Sequence, residues 1–525
     1  MKRRNFLKYS GAAAAWTSFQ MKGFSINPAP KLPFLKALAA GGNANDRVLV
    51  LIQLTGGNDG LNTFIPLDQY DNLANLRSNV FIPENKVLKI TNNLANGFHP
   101  SMTLMRNMYN DGLMSVVQNV GYPNQDYSHF RSTDIWMSAA DSDQLLETGW
   151  LGRYLQGQHP AFPDGYPNPD NPDPLAIQIG SVVSLAMMGN TVPMGMAISD
   201  PTAYYQFVSD VVEPAPDTPY GDELEFIRLV TQQAQVYYQA IKDAANVGQN
   251  ISALYPAQGV NYLADQLRIV AQLISGGLKT PVYIVSIDGF DTHSEQVDSA
   301  SDTTVGNHAN LLAQVSEAIG AFQDDLKLLG VDDRVAGMTF SEFGRTIASN
   351  ASLGTDHGAA APLFVFGKNV IPGIIGNNPQ IPANPFDSAD VPMQHDFRSV
   401  YASAIQDWFG IANPESVLNY DFPILPIFKA ASTGTSTLDK ARIEASNYPN
   451  PLHHATTFTF TTEGGQVIIH LMDLNGRVLR TIVDGSYPAG THRVTFNRSS
   501  DLKPGSYFYS VQVNGAAVTK KLLVI

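Results

Sequence analysis

The sequence predicts a doubly wound, mostly parallel α/β sheet followed by a small antiparallel β-sandwich. Three observations carry this. Near-continuous apolar runs alternate with amphipathic helical patterns after Arg47. Short alternating strands with turn residues between them fill the stretch after Thr456. Carboxylates and imidazoles fall directly after the apolar runs, where ligands lie in sheets of this kind.

The first 45 residues are read as an address. Met1-Lys2-Arg3-Arg4-Asn5-Phe6-Leu7-Lys8 precedes a mildly apolar stretch through Trp16. A basic start before a short apolar segment is export-signal grammar. The arginine pair resembles a twin-arginine signal, which a receptor reads and which does not anchor the chain. Ser25 to Asn45 reads as a linker.

The body is expected over residues 46–430. Arg47–Leu54, Met114–Val117, Pro281–Ile287, Val335–Phe340 and Pro362–Phe366 read as buried strands. Leu263, Leu267, Val270 and Ile274 recur at helical spacing, as do Leu311, Val315, Ile319, Phe322, Leu326 and Leu329. Strands that are apolar on both faces need helices on both faces. An insertion from about Gly157 to Gln258, rich in Pro and Asp near its start, is expected to cap the site. A linker over 431–446 leads to the sandwich, 447–525. There Thr456–Thr461, Val467–Met472, His492–Phe496, Tyr507–Val513 and Lys520–Ile525 alternate between turns such as Asp473-Leu474-Asn475-Gly476.

Composition removes several functions. The 525 residues contain no Cys, which excludes disulfide scaffolds, thiolate metal sites and a Cys nucleophile. A net charge of −14 argues against a nucleic-acid partner, which requires Lys and Arg to displace counterions. No run of about 18 apolar residues is present to form a transmembrane helix.

The polar residues point to a metal. The first strand delivers Asn58 and Asp59, the Pro281–Ile287 strand Asp288, Asp291 and His293, and the Val335–Phe340 strand Ser341, Glu342 and Arg345. Asp356-His357-Gly358 follows. Carboxylates and imidazoles at one sheet edge repel unless a cation sits among them, and mixed Asp/His ligation suits zinc, manganese or a related ion. Each motif also has a plain structural reading. Gly56–Gly60 makes a turn, Asp291-Thr292-His293 a helix cap with a surface imidazole, and Glu342 with Arg345 a salt bridge.

Gly56-Gly57-Asn58-Asp59-Gly60-Leu61-Asn62-Thr63, Ser128-His129-Phe130, Gly149–Arg153, Phe290–His293, Ser341–Thr346, Gly354–Gly358 and Asp396–Ala402 occur in this order. The series resembles the DUF1501 family over about residues 47–412, and through it the alkaline-phosphatase-like superfamily of phosphatases, sulfatases and phosphomutases. The resemblance implies one or two divalent metal ions, zinc, manganese, calcium or magnesium. It places Asp59, Asp356 and His357 on one ion. Asp291 and His293 fall on the other, more closely spaced than the superfamily usually has them, with His395 as candidate last ligand. It implies a nucleophile at a helix start, which Ser128 matches, although a serine there is equally an N-cap. His129 is general acid, ligand or packed loop residue, and Arg131 and Arg345 are placed to hold an anionic oxygen, with Glu342 nearby.

At the other end, Asn447–Pro451, Asp473–Arg477, Ala489–His492 and Leu502–Phe508 together resemble the type IX secretion sorting domain of Bacteroidetes. The implied partners are the export and type IX secretion machinery, with the periplasm as transit and the cell surface or exterior as destination. Two functions stand side by side. One is an exported metal-dependent hydrolase of phosphate or sulfate esters, acting on a small anionic ester or a surface glycan. The other is a surface binding or assembly protein that keeps the fold and a structural metal.

Overall fold

The apolar run after Arg47 forms β1 (Val48–Leu54) at the middle of a nine-stranded sheet. The structure, a computed structural model, describes residues 46–201, 236–384, 389–429, 445–462, 464–472, 478–499, 502–513 and 516–524. The expected export signal and the 473–476 turn lie outside these residues.

The other strands are β2 (Met114–Gly121), β3 (Ile177–Ile179), β4 (Met196–Ile198), β5 (Val282–Ile287), β6 (Val335–Phe340), β7 (Ala361–Phe366), β8 (Gly373–Ile375) and β9 (His395–Asp396). Their order is β8-β2-β7-β6-β1-β5-β3-β4, with β9 also pairing β2. β1 is parallel to β5 and β6, β5 to β3, and β3 to β4. β7 alone runs against its neighbours β2 and β6. Its reversal has a simple cause. The chain leaving β6 stays at that edge of the sheet, folding a two-residue ribbon of Gly344–Arg345 on His357–Gly358. With no crossover helix to carry it back, the next strand must return antiparallel.

Alternate residues of β1 enter two different cores, as a strand buried on both faces requires. Leu49 and Leu51 pack with α2 (His129–Ser138), α3 (Trp150–Gln158) and α6 (Phe397–Ser403) through Trp136, Trp150 and Tyr401. Val48, Val50 and Ile52 pack with α1 (Thr103–Asn110), α4 (Tyr262–Ser275) and α5 (Asn307–Leu328) through Met105, Leu267 and Phe322. The described part of the insertion contributes β3 and β4 to the sheet itself, where a cap alone was expected.

The C-terminal unit is a sandwich of two antiparallel sheets. β10 (Ala445–Tyr448), β11 (Ala455–Thr462) and β14 (Gly490–Asn497) make one; β12 (Gly465–Met472), β13 (Val478–Tyr487), β15 (Gly505–Val513) and β16 (Ala516–Val524) make the other. Phe458, Phe460, Ile469, Leu471, Tyr509, Val511 and Leu522 fill its core. β13 was not among the expected strands, and only Val483 along it is buried, so no apolar alternation marks it.

Candidate metal centre

Four segments meet at the carboxyl edge of β1, β5 and β6. Gly56 follows β1 with φ +123°, and a Cβ there would come within 2.3 Å of the Asp291 backbone nitrogen. Only glycine allows this approach. Phe290 N–H donates to the Thr55 carbonyl at 3.0 Å, which ties the β5 loop to the β1 loop. Thr355 N–H donates to the Thr292 carbonyl at 3.2 Å, and Gly354 lies so close to His293 that a Cβ would sit 2.3 Å from its carbonyl oxygen. The fourth segment is the start of α2. Ser132 Oγ and Trp136 Nε1 both donate to the Glu342 carbonyl, the latter at 2.9 Å, so the helix is fixed with His129 facing the loops.

His129, Asp291, His293 and His357 come together here. Nε2 of His293 and Nε2 of His357 are 2.9 Å apart, and each is 3.3 Å from Asp291 Oδ1. His129 Nε2 is 3.4 Å from Asp291 Oδ2 and, although buried, has no hydrogen-bond partner. One ligand atom from each of His129, Asp291 and His357 lies within 4.8 Å of the other two, close enough to share an ion. The opposite nitrogens are all engaged. His129 Nδ1 meets Glu342 Oε1 at 2.8 Å, His293 Nδ1 meets Asp356 Oδ1 at 2.9 Å, and His357 Nδ1 meets the Tyr127 carbonyl at 2.9 Å.

Electrostatics keep the carboxylates charged. Partial burial works to raise the Asp291 carboxyl, but hydrogen bonds from Arg345 and His357 outweigh it and draw it down to about 2. The His293 hydrogen bond lowers Asp356. Burial lowers His357 and so favours its neutral, ligand-competent form.

The remaining expected site residues lie elsewhere. Asp59 does not join the cluster: it is fully buried and bound by Arg77 Nη1 at 2.7 and 2.9 Å and by Gln296 Nε2 at 2.7 Å. Burial would raise its pKa, and Arg77 more than cancels this. Asp356 stands behind His293, bonded to its Nδ1 and to Asn350 Nδ2. Glu342, fully buried, also accepts from Gly56 N–H at 2.8 Å. Arg345 is buried and spends its donors on the carbonyls of Gly56, Gly57, Phe290 and Thr355 and on Asp291, where an anion-holding role was expected. Arg131 likewise clamps the carbonyls of Asp141, Ser142 and Gln144. His395 pairs Val120 on β9 with its ring against Gly376, apart from the imidazole group. Ser128 is the exposed N-cap of α2 and makes no side-chain cap bond.

Sequence reasoning missed Arg77, Gln296 and the Tyr127 carbonyl. Gln296 accepts from Thr292 Oγ1 and Thr355 Oγ1 while donating to Asp59, so it joins both imidazole-bearing loops to the buried pair. No local pattern singles out a lone glutamine or a backbone carbonyl in this way.

A family model described as "Protein of unknown function (DUF1501)" matches residues 46–420. Another, "Secretion system C-terminal sorting domain", matches residues 446–525. No curated protein matches. Solved structures with some likeness include a protein in the alkaline phosphatase superfamily from Vibrio parahaemolyticus, 10% identical, covering 80% of this chain and 76% of that one at TM-score 0.31. A sulfatase from Pseudoalteromonas sp. is 11% identical, with 89% and 88% covered at TM-score 0.28. A phosphonate monoester hydrolase from Silicibacter pomeroyi is 10% identical, with 91% and 89% covered at TM-score 0.27. Matched along most of its length, the chain belongs to the DUF1501 family and ends in a secretion sorting domain.

Proposed function

We propose that this protein is an exported metal-dependent hydrolase acting on phosphate or sulfate esters. The observation that carries the reading is the convergence of three imidazoles and Asp291 at the carboxyl edge of the sheet. A divalent ion held there would polarise an ester oxygen and lower the pKa of an attacking hydroxyl. Asp291, His129 and His357 would hold it, while Glu342 and the Tyr127 carbonyl fix the two rings and His293, tied to Asp356, stands beside them. Ser128, one residue before His129 and free of cap bonding, is the candidate nucleophile. The choice of ester rests on the motif resemblance. The sorting domain supports delivery through type IX secretion to the surface or exterior, with the periplasm as transit. No helix among the described residues is long and apolar enough to cross a membrane.

The test is a screen of generic aryl phosphates and sulfates with metal-loaded and chelator-stripped protein. Turnover is expected only in the loaded form, and Ser128→Ala is expected to abolish it with metal content intact. A loaded protein inert toward every ester favours the second reading, a surface binding or assembly protein with a structural metal. One observation favours that alternative: Arg131 and Arg345 both have donors committed to protein carbonyls rather than held open toward an anion.

A further inference from the structure

A cleft of about 370 Å³ adjoins Asp291, between the loop after β5 and the start of α5. Its walls include Asp291, Ser294, Asn307, Asn310, Leu311 and Gln314. That volume falls within the range of ligand clefts, roughly 300–1,000 Å³. Positions 307, 310, 311 and 314 follow helical spacing, so they share one face of α5. Leu312 and Val315, on another face, are buried in the core. The face toward the cleft is polar yet uncharged. Ser294, Asn307 and Asn310 are exposed, and among the described residues their side chains have no hydrogen-bond partner. Gln314 donates one N–H to the Asn310 carbonyl at 3.5 Å and leaves its own side-chain oxygen open. Asparagine is a weak helix former, because its side chain competes for nearby backbone hydrogen bonds. Asn310 lies inside α5 and its amide makes no bond of that kind, so helix stability does not account for it.

We infer that this cleft is a subsite for a neutral polyhydroxylated group, a sugar ring by class, which carries the ester to be cleaved. No Lys or Arg is among the lining residues, and the one charged side chain there is the Asp291 carboxylate. An anionic group would therefore meet no counter-charge in the cleft. The three amides and the Ser294 hydroxyl each both donate and accept, which is what neighbouring hydroxyls on a ring require. The methyl groups of Leu311 offer an apolar surface to the C–H face of such a ring. Asp291 borders the cleft and also belongs to the imidazole cluster, so a ring held here presents an ester group to that cluster. The inference rests on the hydrolase reading for this placement, and not for the binding of the ring.

The experiment is saturation-transfer NMR on the full chain with the methyl glycosides of glucose, galactose, mannose and N-acetylglucosamine. At least one is expected to bind, and the double variant Asn307→Leu, Asn310→Leu should weaken it about tenfold, as the loss of two uncharged hydrogen-bonding groups implies. Leucine is the better helix former, so thermal unfolding should show the fold retained. Binding of inorganic sulfate and phosphate should be the same in both proteins. In turnover assays the variant should raise KM about tenfold for a sugar phosphate or sulfate with kcat unchanged, the mark of lost ground-state binding, and leave aryl esters unaffected. No glycoside bound, glycoside binding unchanged in the variant, or an equal loss of inorganic anion binding overturns the inference. Glycoside binding that the variant loses, in a protein that turns over no ester, upholds the subsite and sinks the hydrolase reading. Ester turnover without glycoside binding does the reverse.

Discussion

Two polar clusters share the edge of the same sheet and contain the same kinds of residue, yet they are built on opposite principles. In the first, Asn58, Asp59, Arg77, Gln296 and His308 are all 2% exposed or less. The charges there are paired and the side chains bond to one another: Arg77 with Asp59, Gln296 with Asp59 and two threonines, His308 with Asn58 at 3.0 Å. In the second, Asp291 and His293 are nearly half exposed, and three imidazoles crowd around one carboxylate. Deep burial makes an unmatched polar group costly, whereas partial exposure lets water meet what the protein does not. That openness suits the outer cluster to the ligand role proposed for it, while the closed one is a foundation.

Breaking the closed cluster should have the largest effect. Arg77→Met strands the Asp59 carboxylate in the core, and losing one partner of a buried pair costs about 3–5 kcal/mol. Urea unfolding of the metal-free protein measures this. In the open cluster, His293→Ala should change metal-free stability by no more than about 0.5 kcal/mol, as substitutions at partly exposed sites usually do. Similar losses for both variants would erase the contrast between the clusters.

The imidazoles of the closed region predict how the fold responds to acid. Burial draws His308 down to about 4 and His99 to about 3 from the ordinary 6.5. Above pH 6.5 both are neutral whether folded or unfolded, and they add no pH dependence. Below it the unfolded chain takes up two protons that the folded chain refuses, so stability falls as pH drops from 6.5 towards 4. Two protons correspond to a slope of up to about 2.7 kcal/mol per pH unit. Unfolding free energies measured across this window should show it, and His308→Gln should roughly halve the contribution. A flat profile between pH 6.5 and 4.5 would mean that these rings are not sealed from protons.

The contrast also explains what could be read from the sequence. β1, β5 and β6 were legible because their residues are apolar on both faces, and α4 and α5 because theirs recur at helical spacing. The direction of β7 was not, since an apolar run looks the same whichever way it travels. β3 and β4, three residues each, are too short to show a pattern. Asp59 and Asp291 looked alike in sequence, each following a buried strand and a glycine. Their fates diverge through Arg77, at the end of a short helix eighteen positions beyond Asp59, in a context that reads as surface. His129, Asp291, His293 and His357 were marked by motif and position. Which face of each ring would be free depended on Glu342, Asp356 and a backbone carbonyl, and no spacing rule encodes those contacts.

Gln296 is where the two clusters meet, and it gives the most discriminating effect. Gln296→Met keeps the volume but removes the donor to Asp59 and the acceptor shared by Thr292 and Thr355. Leaving buried polar groups without partners costs about 1–3 kcal/mol. If the glutamine served packing alone, that loss of stability would be the only consequence. Because it ties the His293 loop to the His357 loop, affinity for the proposed metal should also fall roughly tenfold, as for other supports lying behind ligands. Thr355→Val, which removes a single hydroxyl, should reproduce the affinity loss in part with a smaller cost in stability. Metal-free stability and metal affinity measured on both variants separate the two roles. Affinity unchanged in either variant while stability drops would show that the closed cluster supports the fold without setting the geometry of the open one.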